Sequence, residues 1–403
     1  MRLLVIGNGV AGVTTARLVA ERDASAEITI YSDEPYPYYA RPRLIELLAG
    51  RVAPESMAFY PEEWYQKRGL HVELGRRVVG IKPQAHEITL DDGWSAAYDR
   101  LVLATGAHAW VPPIPGANME GVLTLRSMRD ALALRERASG GGQAVILGGG
   151  LLGLDTATAL RAQRMGVLVV EMAPRLLPRQ LDAEGAVVLQ RAIEEQGVEV
   201  LTGDTCALIE RRNGRVGLGL KSGRTLEADL VVISAGVRPN LELAREAGLA
   251  CNNGLLVNER LLTSAPDVYA VGDVAEFSGR VWGIIPAALA QAQVAAAQVI
   301  GNGDVIYKDI VPSTTLKVTG IDLTSMGEVN LQGDGFVEVR REDAAKGAYK
   351  KLVIRNGQVV GAIVLGDRSS VRAISQLIER KVDVSAHVGS LLDEGFNLAG
   401  LIS

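Results

Sequence analysis

Two segments of this sequence, far apart in the chain, share one pattern: an apolar run, three glycines spaced G-x-G-x-x-G, and small residues at helical spacing. The first is RLLVIGNGVAGVTTA, from residue 2, and the second is QAVILGGGLLGLDTA, from residue 143. In such a turn the first glycine permits a tight bend, the second lets the backbone approach a pyrophosphate, and the third lets helix and strand pack closely. One such turn holds one dinucleotide, so the repeat predicts a chain that binds two. The glycines concerned are Gly7, Gly9 and Gly12, then Gly148, Gly150 and Gly153.

An acidic residue follows each turn, at the end of the next apolar run. EITIYSDEP supplies Asp33 or Glu34 after the first turn, and GVLVVE supplies Glu171, 23 residues past Gly148. A carboxylate at this point hydrogen-bonds ribose hydroxyls and repels a 2′-phosphate. Arg175, four residues after Glu171, is the competing possibility, since an arginine could pair with such a phosphate.

A second pair of matching segments shows that the repeat extends beyond the glycine turns. YDRLVLATG (98–106) and EADLVVISAG (227–236) each contain an acidic residue, an apolar run and a closing glycine, Gly106 or Gly236. Two tandem βαβ domains are the natural interpretation. After residue 311 the pattern changes to short strands and one amphipathic helix, which predicts a third domain of the α+β class.

Composition removes several classes of function. A net charge of −5 gives no reason to expect nucleic acid or an anionic membrane as partner. No apolar run is long enough to span a bilayer, and the apolar run LLVI is too short for a signal peptide. Only two cysteines occur, Cys206 and Cys251, which fits a reducing cytoplasm. The four histidines are scattered without metal-ligand spacing, so no metal site is expected.

A third signature assigns the two nucleotides. VYAVGD (268–273) resembles the second FAD motif of the pyridine nucleotide–disulfide oxidoreductase superfamily. Further segments match in family order over nearly the whole chain, with the nearest resemblance to NADH:rubredoxin reductases and to the flavin portion of assimilatory nitrite reductase large subunits. The segments are GNGVAG, YYARPRL, YDRLVLATG, GGGLLGLD, VVEMAPRLLPRQLD and SAGVRPN.

The resemblance implies an α/β fold with two tandem Rossmann-like domains and a small C-terminal α+β domain. It places a discontinuous FAD-binding domain at 1–110 and 241–310, an NAD-binding domain at 111–240, and the C-terminal domain at 311–403. The residues implied for FAD are Gly7, Gly9, Gly12, Asp33, Glu34, Arg41, Thr105, Gly106, Gly272 and Asp273, the last on the ribityl chain. Those implied for NAD are Gly148, Gly150, Gly153, Glu171 and Gly236.

Three further residues are implied near the flavin. A helix that begins at Pro286 would point its positive end at the flavin edge where reduction places negative charge. Lys317 would help shape the flavin face. Asp155 replaces the glutamate that the family places at the flavin–nicotinamide junction, and it is one methylene shorter.

Departures from the wider family narrow the chemistry. Members that reduce disulfides carry redox cysteines in the first FAD-domain helices, whereas this chain has no cysteine before Cys206. Cys206 and Cys251 are therefore expected to be small buried residues without a redox role. Glu46 stands where relatives that serve oxygenases have a lysine, which brings a negative charge close to the expected flavin.

The resulting expectation is an NADH-preferring flavoprotein reductase that passes electrons through FAD to a small iron–sulfur carrier of the rubredoxin or ferredoxin type. One alternative is the electron-input subunit of an assimilatory nitrate or nitrite reductase complex. A remoter one is a flavin redox sensor with slow turnover. The identity of the acceptor and the oligomeric state stay open, because partner recognition depends on the arrangement of surface charges.

Overall fold

The computed structural model describes residues 1–309, 313–318, 320–344 and 346–402. Helices and strands are numbered in chain order. The α-helices in this part of the chain are α1 (Val10–Arg22), α2 (Leu44–Leu48), α3 (Glu62–Gln66), α4 (Met128–Ala138), α5 (Leu151–Ala162), α6 (Ala183–Glu194), α7 (Glu242–Glu246), α8 (Ile285–Val299) and α9 (Val371–Glu379).

Two five-stranded parallel sheets and a five-stranded C-terminal sheet contain most of the strands. The described strands are β1 (Arg2–Ile6), β2 (Glu27–Ser32), β3 (Leu70–Leu74), β4 (Val78–Lys82), β5 (Glu87–Leu90), β6 (Ser95–Ala97), β7 (Arg100–Leu103), β8 (Ala107–Ala109), β9 (Val122–Leu123), β10 (Gln143–Leu147), β11 (Gly166–Glu171), β12 (Val198–Thr202), β13 (Cys206–Arg212), β14 (Arg215–Leu220), β15 (Thr225–Ala228), β16 (Leu230–Ile233), β17 (Val237–Pro239), β18 (Leu255–Val257), β19 (Val268–Ala270), β20 (Ala275–Phe277), β21 (Ser313–Val318), β22 (Ile321–Gly327), β23 (Phe336–Asp343), β24 (Ala348–Arg355) and β25 (Gln358–Leu365).

The first compact unit contains a five-stranded parallel sheet in the order β19-β7-β1-β2-β3. β1 is buried on both faces, as the continuous apolar run LLVI predicts for a central parallel strand. Helix α1 follows β1 directly, and α8 packs against α1 with a face of buried alanine and valine side chains. The unit consists of Met1–Leu47, Val52–Ala109 and Val237–Ile310.

The second compact unit repeats this arrangement with the sheet β12-β11-β10-β16-β9, also parallel throughout. Here the central strand β10 is buried, and helix α5 follows it directly. The sequence repeat is therefore a structural repeat: each glycine turn joins the central strand of a parallel sheet to a helix. The unit consists of Leu48–Arg51, Trp110–Gly236 and Val311–Ser403.

The C-terminal part of the second unit has an antiparallel sheet in the order β21-β22-β25-β24-β23, with α9 packed on it. Its own core includes Leu352, Ala362, Ile374 and Leu377, all with no exposed surface. The α+β class predicted for this segment, and the fold class predicted for the whole chain, are confirmed. The division into three domains stays a prediction, since the chain separates into two compact units and this sheet shares one of them with residues 110–236.

Helix α8 begins at Ile285, so Pro286 is its second residue and not its first. A proline is tolerated at either place, because the N–H groups of a first turn have no partner within the helix. Among the helices described, none is both long enough and apolar enough to cross a membrane.

Candidate dinucleotide-binding sites

The first glycine turn has a backbone that only glycine permits at two of its three positions. Gly7 has φ +115°, and a Cβ on it would lie 2.1 Å from the carbonyl oxygen of Ala104. A Cβ on Gly12 would lie 2.0 Å from the Gly7 carbonyl oxygen. Gly9 is different, because a Cβ there would meet nothing within 4 Å. Gly7 and Gly12 are therefore required by packing, whereas Gly9 borders open space at the start of α1.

The second turn has the same geometry. Gly148 has φ +124°, and its Cβ would lie 2.2 Å from the Ser234 carbonyl oxygen. A Cβ on Gly153 would lie 2.0 Å from the Gly148 carbonyl oxygen, while Gly150 again faces open space. Both turns thus combine two glycines that close packing demands with one that leaves room for a ligand.

The helices that follow these turns begin without a side-chain cap. Gly9 is the N-cap of α1 and Gly150 that of α5, and neither can supply a capping oxygen. In contrast, α4 begins with Ser127 in a complete capping box. The free N–H groups and the positive end of the helix dipole make each uncapped terminus suited to a phosphate anion.

Asn8 adds a second sign of a ligand at the first turn. Both polar atoms of its side-chain amide are closed off from solvent, and neither has a hydrogen-bond partner among the described residues. Buried amides are normally hydrogen-bonded, because an unpaired buried polar group costs about 1–3 kcal/mol. A polar ligand group beside Gly9 would satisfy this amide. The residues present therefore fit a bound dinucleotide phosphate.

The second FAD motif lies against the first one. Gly272 has φ +81° and follows β19, and a Cβ on it would lie 2.9 Å from the Ala11 Cβ on α1. Its N–H donates to Gln291 Oε1 at 2.7 Å, and Gln291 is only 1% exposed. Asp273, partly buried, follows in the same short 3-10 turn. The structure therefore brings together Gly272, Asp273 and the start of α1.

Gln291 was missed by sequence reasoning. It is a buried polar residue on the apolar helix α8, and its side chain fixes the turn that carries Asp273. The available signal was the glutamine itself, since a buried polar side chain in an alanine-rich core helix needs a specific partner.

The acidic residues after β2 are placed differently from Glu171. Ile6 pairs with Tyr31, as Leu147 pairs with Val170, so the residue in the register position of Glu171 is Ser32. Asp33 is exposed and Glu34 partly buried.

Glu34 is the better anchored of the two acids. Its Oε2 accepts a hydrogen bond from the Tyr39 hydroxyl at 2.7 Å, and its Oε1 lies 3.8 Å from the Arg41 guanidinium. The structure thus joins Glu34 to Arg41, another predicted FAD residue, and leaves Asp33 apart from them.

The exits of the matching strands β7 and β16 are fixed by hydrogen bonds to backbone carbonyl oxygens. Thr105 Oγ1 donates to the Asn240 carbonyl oxygen at 3.2 Å, and Asn240 Nδ2 donates to the Thr105 carbonyl oxygen at 2.7 Å. Gly106 accepts from the Asn240 N–H at 2.9 Å. In the second unit Gly236 has φ +102°, and its carbonyl oxygen accepts from the Trp110 N–H at 2.9 Å.

Glu171 ends β11, and its carboxylate is tied to the glycine turn of the same unit. Oε2 accepts from the Gly149 N–H at 2.6 Å, and Oε1 accepts from the Ala173 N–H at 2.7 Å. Each oxygen keeps a second lone pair, so the carboxylate can still accept ribose hydroxyls. These two bonds fix its position beside the turn.

The Arg175 side chain forms hydrogen bonds within its own loop. Its guanidinium donates to the carbonyl oxygens of Leu181 at 3.3 Å and Pro178 at 3.4 Å. Two nitrogens of this guanidinium are thus used within the loop, which weakens the competing possibility raised by the sequence.

The remaining predicted residues are distributed over both units. Asp155 is partly buried on α5, and Pro286 lies in the first turn of α8. Lys317 lies on β21, and its side chain falls outside the described part of the structure. Glu46 is 3.3 Å from the Nε of Arg43, so a local cation partly offsets the charge that replaces the lysine of oxygenase-serving relatives.

Both cysteines are free thiols. Cys206 is 6% exposed and its Sγ contacts the Leu208 carbonyl oxygen at 3.3 Å, whereas Cys251 is only partly buried, contrary to the expectation for it. Burial raises the pKa of each thiol, which disfavours the reactive thiolate. Over the described residues no group of three or more His, Cys, Asp or Glu side chains is arranged to hold a metal ion.

Two parallel sheets, each with an open glycine turn at the start of a helix, define a protein that binds two dinucleotides. Residues 1–298 match the pyridine nucleotide-disulphide oxidoreductase family, and residues 312–382 match the rubredoxin NAD+ reductase C-terminal domain. The chain belongs to the pyridine nucleotide-disulphide oxidoreductase family. The predictions of the family, of an oxidoreductase and of FAD and NADH as its cofactors are thereby confirmed.

The relatives include both classes that the sequence suggested. The chain is 34% identical over 385 residues to an NAD(P)H nitrite reductase of Bacillus subtilis. This match covers 95% of the present chain and 48% of the Bacillus protein. It is 29% identical to the NADH-rubredoxin oxidoreductase of Clostridium acetobutylicum, with 94% of each chain covered. A solved ferredoxin reductase of Rhodopseudomonas palustris superposes with a TM-score of 0.89 over the whole of both chains at 28% identity. The chain spans about half the length of the nitrite reductase relatives it matches.

Proposed function

We propose that this chain takes electrons from NADH and passes them through FAD to a small iron–sulfur carrier protein of the rubredoxin or ferredoxin type. The observation that carries the proposal is the pair of open glycine turns, at Gly9 and Gly150, on separate parallel sheets. Two such turns suit two dinucleotides, which a relay between a nicotinamide and a flavin requires. The match of residues 312–382 to the C-terminal domain of rubredoxin NAD+ reductases supports this type of acceptor.

On the second unit, the backbone around Gly150 and the first turn of α5 bind the NADH pyrophosphate. Glu171 accepts the hydroxyls of the adenosine ribose while the N–H groups of Gly149 and Ala173 hold its carboxylate. Because the carboxylate is negative and fixed, it disfavours the 2′-phosphate of NADPH.

On the first unit, the N-terminus of α1 and the Asn8 amide bind the FAD pyrophosphate. Asp273 binds the polyol of the flavin, held in place by the bond from Gly272 to Gln291. When bound, FAD supplies the redox chemistry, since it accepts a hydride and releases electrons one at a time. The uncapped first turn of α8 offers a positive helix end for negative charge on the flavin.

A second candidate is the electron-input subunit of an assimilatory nitrate or nitrite reductase complex. The specific observation in its favour is 33% identity over 386 residues to the assimilatory nitrate reductase electron transfer subunit of Bacillus subtilis, covering 95% of this chain. The same two nucleotide sites serve both candidates, so the acceptor alone separates them. For either candidate we propose a cytoplasmic location, which the two free thiols support.

The test is a panel of acceptors assayed with purified protein and NADH. Rubredoxin, a [2Fe–2S] ferredoxin and the catalytic component of an assimilatory nitrate reductase are compared by kcat/KM under anaerobic conditions. Preference for rubredoxin or ferredoxin supports the first candidate. Preference for the reductase component supports the second and refutes the first, and a protein that reduces none of the three while NADH still bleaches its flavin refutes both.

Flavin content tests the first site separately. Asp273→Asn is expected to lower FAD occupancy, with Asp91→Asn as the control because Asp91 is an exposed turn residue of the same unit. Equal flavin content in the two variants would contradict the assignment of Asp273.

A further inference from the structure

Side chains of the C-terminal sheet contact the carboxylate of Asp182, which belongs to residues 110–236 of the second unit. Tyr349 donates its hydroxyl to Asp182 Oδ2 at 2.7 Å, and Lys351 Nζ lies 3.2 Å from the same oxygen. Lys351 is 2% exposed and also pairs with Glu338 at 2.7 Å. Because Asp182 is itself 8% exposed, this contact is buried. Tyr349 and Lys351 both lie on β24, whereas Asp182 immediately precedes α6.

Asp182 also begins the helix that follows it. Its Oδ1 accepts from the Gly185 N–H at 3.0 Å, which makes it the N-cap of α6. Burial alone would raise the pKa of Asp182, but hydrogen bonds from Tyr349 and Gly185 and the charge of Lys351 lower it overall. The carboxylate is therefore ionised at neutral pH, and its pairing with Lys351 depends on that charge.

A second contact from the C-terminal part holds the segment just before Asp182. The Asn330 amide donates to the carbonyl oxygens of Pro178 at 3.2 Å and Leu181 at 3.3 Å. Arg175 donates to these same two oxygens from within the segment. Residues 172–182, called here the nucleotide loop, are thus fixed at their far end by Tyr349 and Lys351 of the C-terminal sheet and by Asn330 of the loop between β22 and β23.

The middle of the nucleotide loop contacts the glycine turn, and its first residues contact Glu171. The Leu177 N–H donates to the Gly149 carbonyl oxygen at 3.3 Å, and Leu177 has φ +47°. The buried side chain of Leu176 comes within 2.6 Å of the point where a Cβ on Gly149 would stand. Glu171 completes the connection by accepting from the Gly149 and Ala173 N–H groups. The loop therefore joins the turn and Glu171 at one end to the C-terminal sheet at the other.

We propose that Asp182 is a positioning residue for the nicotinamide nucleotide, held by Tyr349 and Lys351 of the C-terminal sheet. Through the nucleotide loop this anchor fixes Glu171 and the Gly149 backbone in the geometry that receives the adenosine ribose. The inference rests on the proposed function, because it assumes that NADH binds at this turn. It assigns the C-terminal sheet a role in nucleotide affinity, although none of its residues needs to touch the nucleotide.

The chemistry of the anchor favours a positioning role over a purely stabilising one. A buried ion pair gains little net stability, because the desolvation of both charges offsets their attraction. Its directed bonds nevertheless permit few alternative arrangements of the groups that make it. Tyr349 and Lys351 hold Oδ2 of Asp182 while the Gly185 N–H holds Oδ1, so both oxygens of the carboxylate are fixed.

The test compares Tyr349→Phe and Asp182→Asn with Lys350→Met in the full-length holoprotein. Lys350 is the neighbour of both partners on β24, but it pairs with Asp367 at 2.6 Å within the C-terminal segment. Tyr349→Phe removes a single hydroxyl, and Asp182→Asn keeps an oxygen for the helix cap. The probe is NAD+, whose Kd is measured by calorimetric titration, together with hydrogen exchange in residues 172–182, FAD content, KM for NADH, and kcat.

We expect Tyr349→Phe and Asp182→Asn each to raise the Kd for NAD+ about fivefold. KM for NADH should rise in parallel while kcat and FAD content stay at wild-type values, and exchange in the nucleotide loop should become faster. Lys350→Met should leave all of these unchanged.

Equal Kd values for Tyr349→Phe, Lys350→Met and the wild type would overturn the positioning role, and Tyr349→Phe alone decides the matter if Asp182→Asn does not fold. A wild type that contains FAD but binds no NAD+ would overturn the proposed function itself. The two failures are thus distinguishable.

Discussion

Glu171→Gln tests whether this carboxylate selects NADH over NADPH. The structure shows a carboxylate whose two oxygens each accept one backbone N–H, from Gly149 and Ala173. Glutamine keeps one acceptor oxygen and nearly the same shape, whereas alanine would leave both N–H groups without their partner. The substitution therefore removes the negative charge with the least damage to the loop.

The expected magnitude follows from the charge and its surroundings. Two unit charges 4 Å apart repel by about 1 kcal/mol in water and about 4 kcal/mol in an effective dielectric of about 20. Glu171 is partly exposed, which places the repulsion of a 2′-phosphate between these limits. About 1–3 kcal/mol, including the lost bond to the ribose hydroxyl, corresponds to a preference for NADH of about 5- to 150-fold. Arg175 does not offset this, because carbonyl oxygens of its own loop already hold its guanidinium.

The assay is kcat/KM for NADH and NADPH with a common acceptor, in the wild type, Glu171→Gln and Glu199→Gln. Glu199 is an exposed residue of β12 in the same sheet, three positions before the residue that pairs with Glu171, so it controls for the change in net charge. The wild type and Glu199→Gln should prefer NADH equally. Glu171→Gln should lose most of that preference, chiefly through a gain with NADPH.

Two results would refute the reasoning. A wild type that prefers NADPH would show that the 2′-phosphate finds a cationic partner at this site. A preference for NADH that is unchanged in Glu171→Gln would show that another group reads the ribose.

Three other predictions follow from the same geometry. Gly153→Ala should destabilise the fold because its Cβ would lie 2.0 Å from a carbonyl oxygen of the turn, whereas Gly150→Ala should keep the wild-type Tm and weaken NAD+ binding; equal effects on both properties would contradict the assignment. Replacing Cys206 and Cys251 together by alanine should leave NADH-dependent ferricyanide reduction within a few-fold, since burial raises the pKa of both thiols; loss of activity with FAD retained would restore a thiol mechanism. A hydrogen bond from Lys350, and further ones from Ser369, lower the pKa of Asp367 from 3.8 to about 2. The ionised Asp367 therefore stabilises the fold above pH 3.8, and this contribution is lost as the pH falls through about 2. Urea unfolding should therefore separate Asp367→Asn from the wild type at pH 5 more than at pH 2, and an equal separation at both would contradict this.

The features of this protein that the sequence predicts are those that depend on residues close together in the chain. The steric demand for glycine at Gly12 and Gly153 arises within a strand–turn–helix, because a Cβ there would meet the carbonyl oxygen of Gly7 or Gly148, so a short pattern is enough to recognise it. The acid at the end of β11 could be predicted for a similar reason, because the turn, α5 and β11 follow one another in a single βαβ unit. Repetition of the pattern then indicated two nucleotide sites.

Residues far apart in sequence decided what the sequence left open. Only the strand register shows that Ser32, and neither Asp33 nor Glu34, occupies the position that Glu171 has in the second sheet. Only packing explains why Gln291 is buried on α8, since its partner is the backbone of Gly272.

The same holds for the anchor of the nucleotide loop. Tyr349 and Asp182 are 167 residues apart, and no local pattern links a tyrosine on an antiparallel strand to the cap of a distant helix. A local backbone conformation restricts which residue can occupy a position, so it can be recognised in a short stretch of sequence. A long-range contact depends on which two surfaces meet, and that is decided only when the sheets and helices of the unit have packed together.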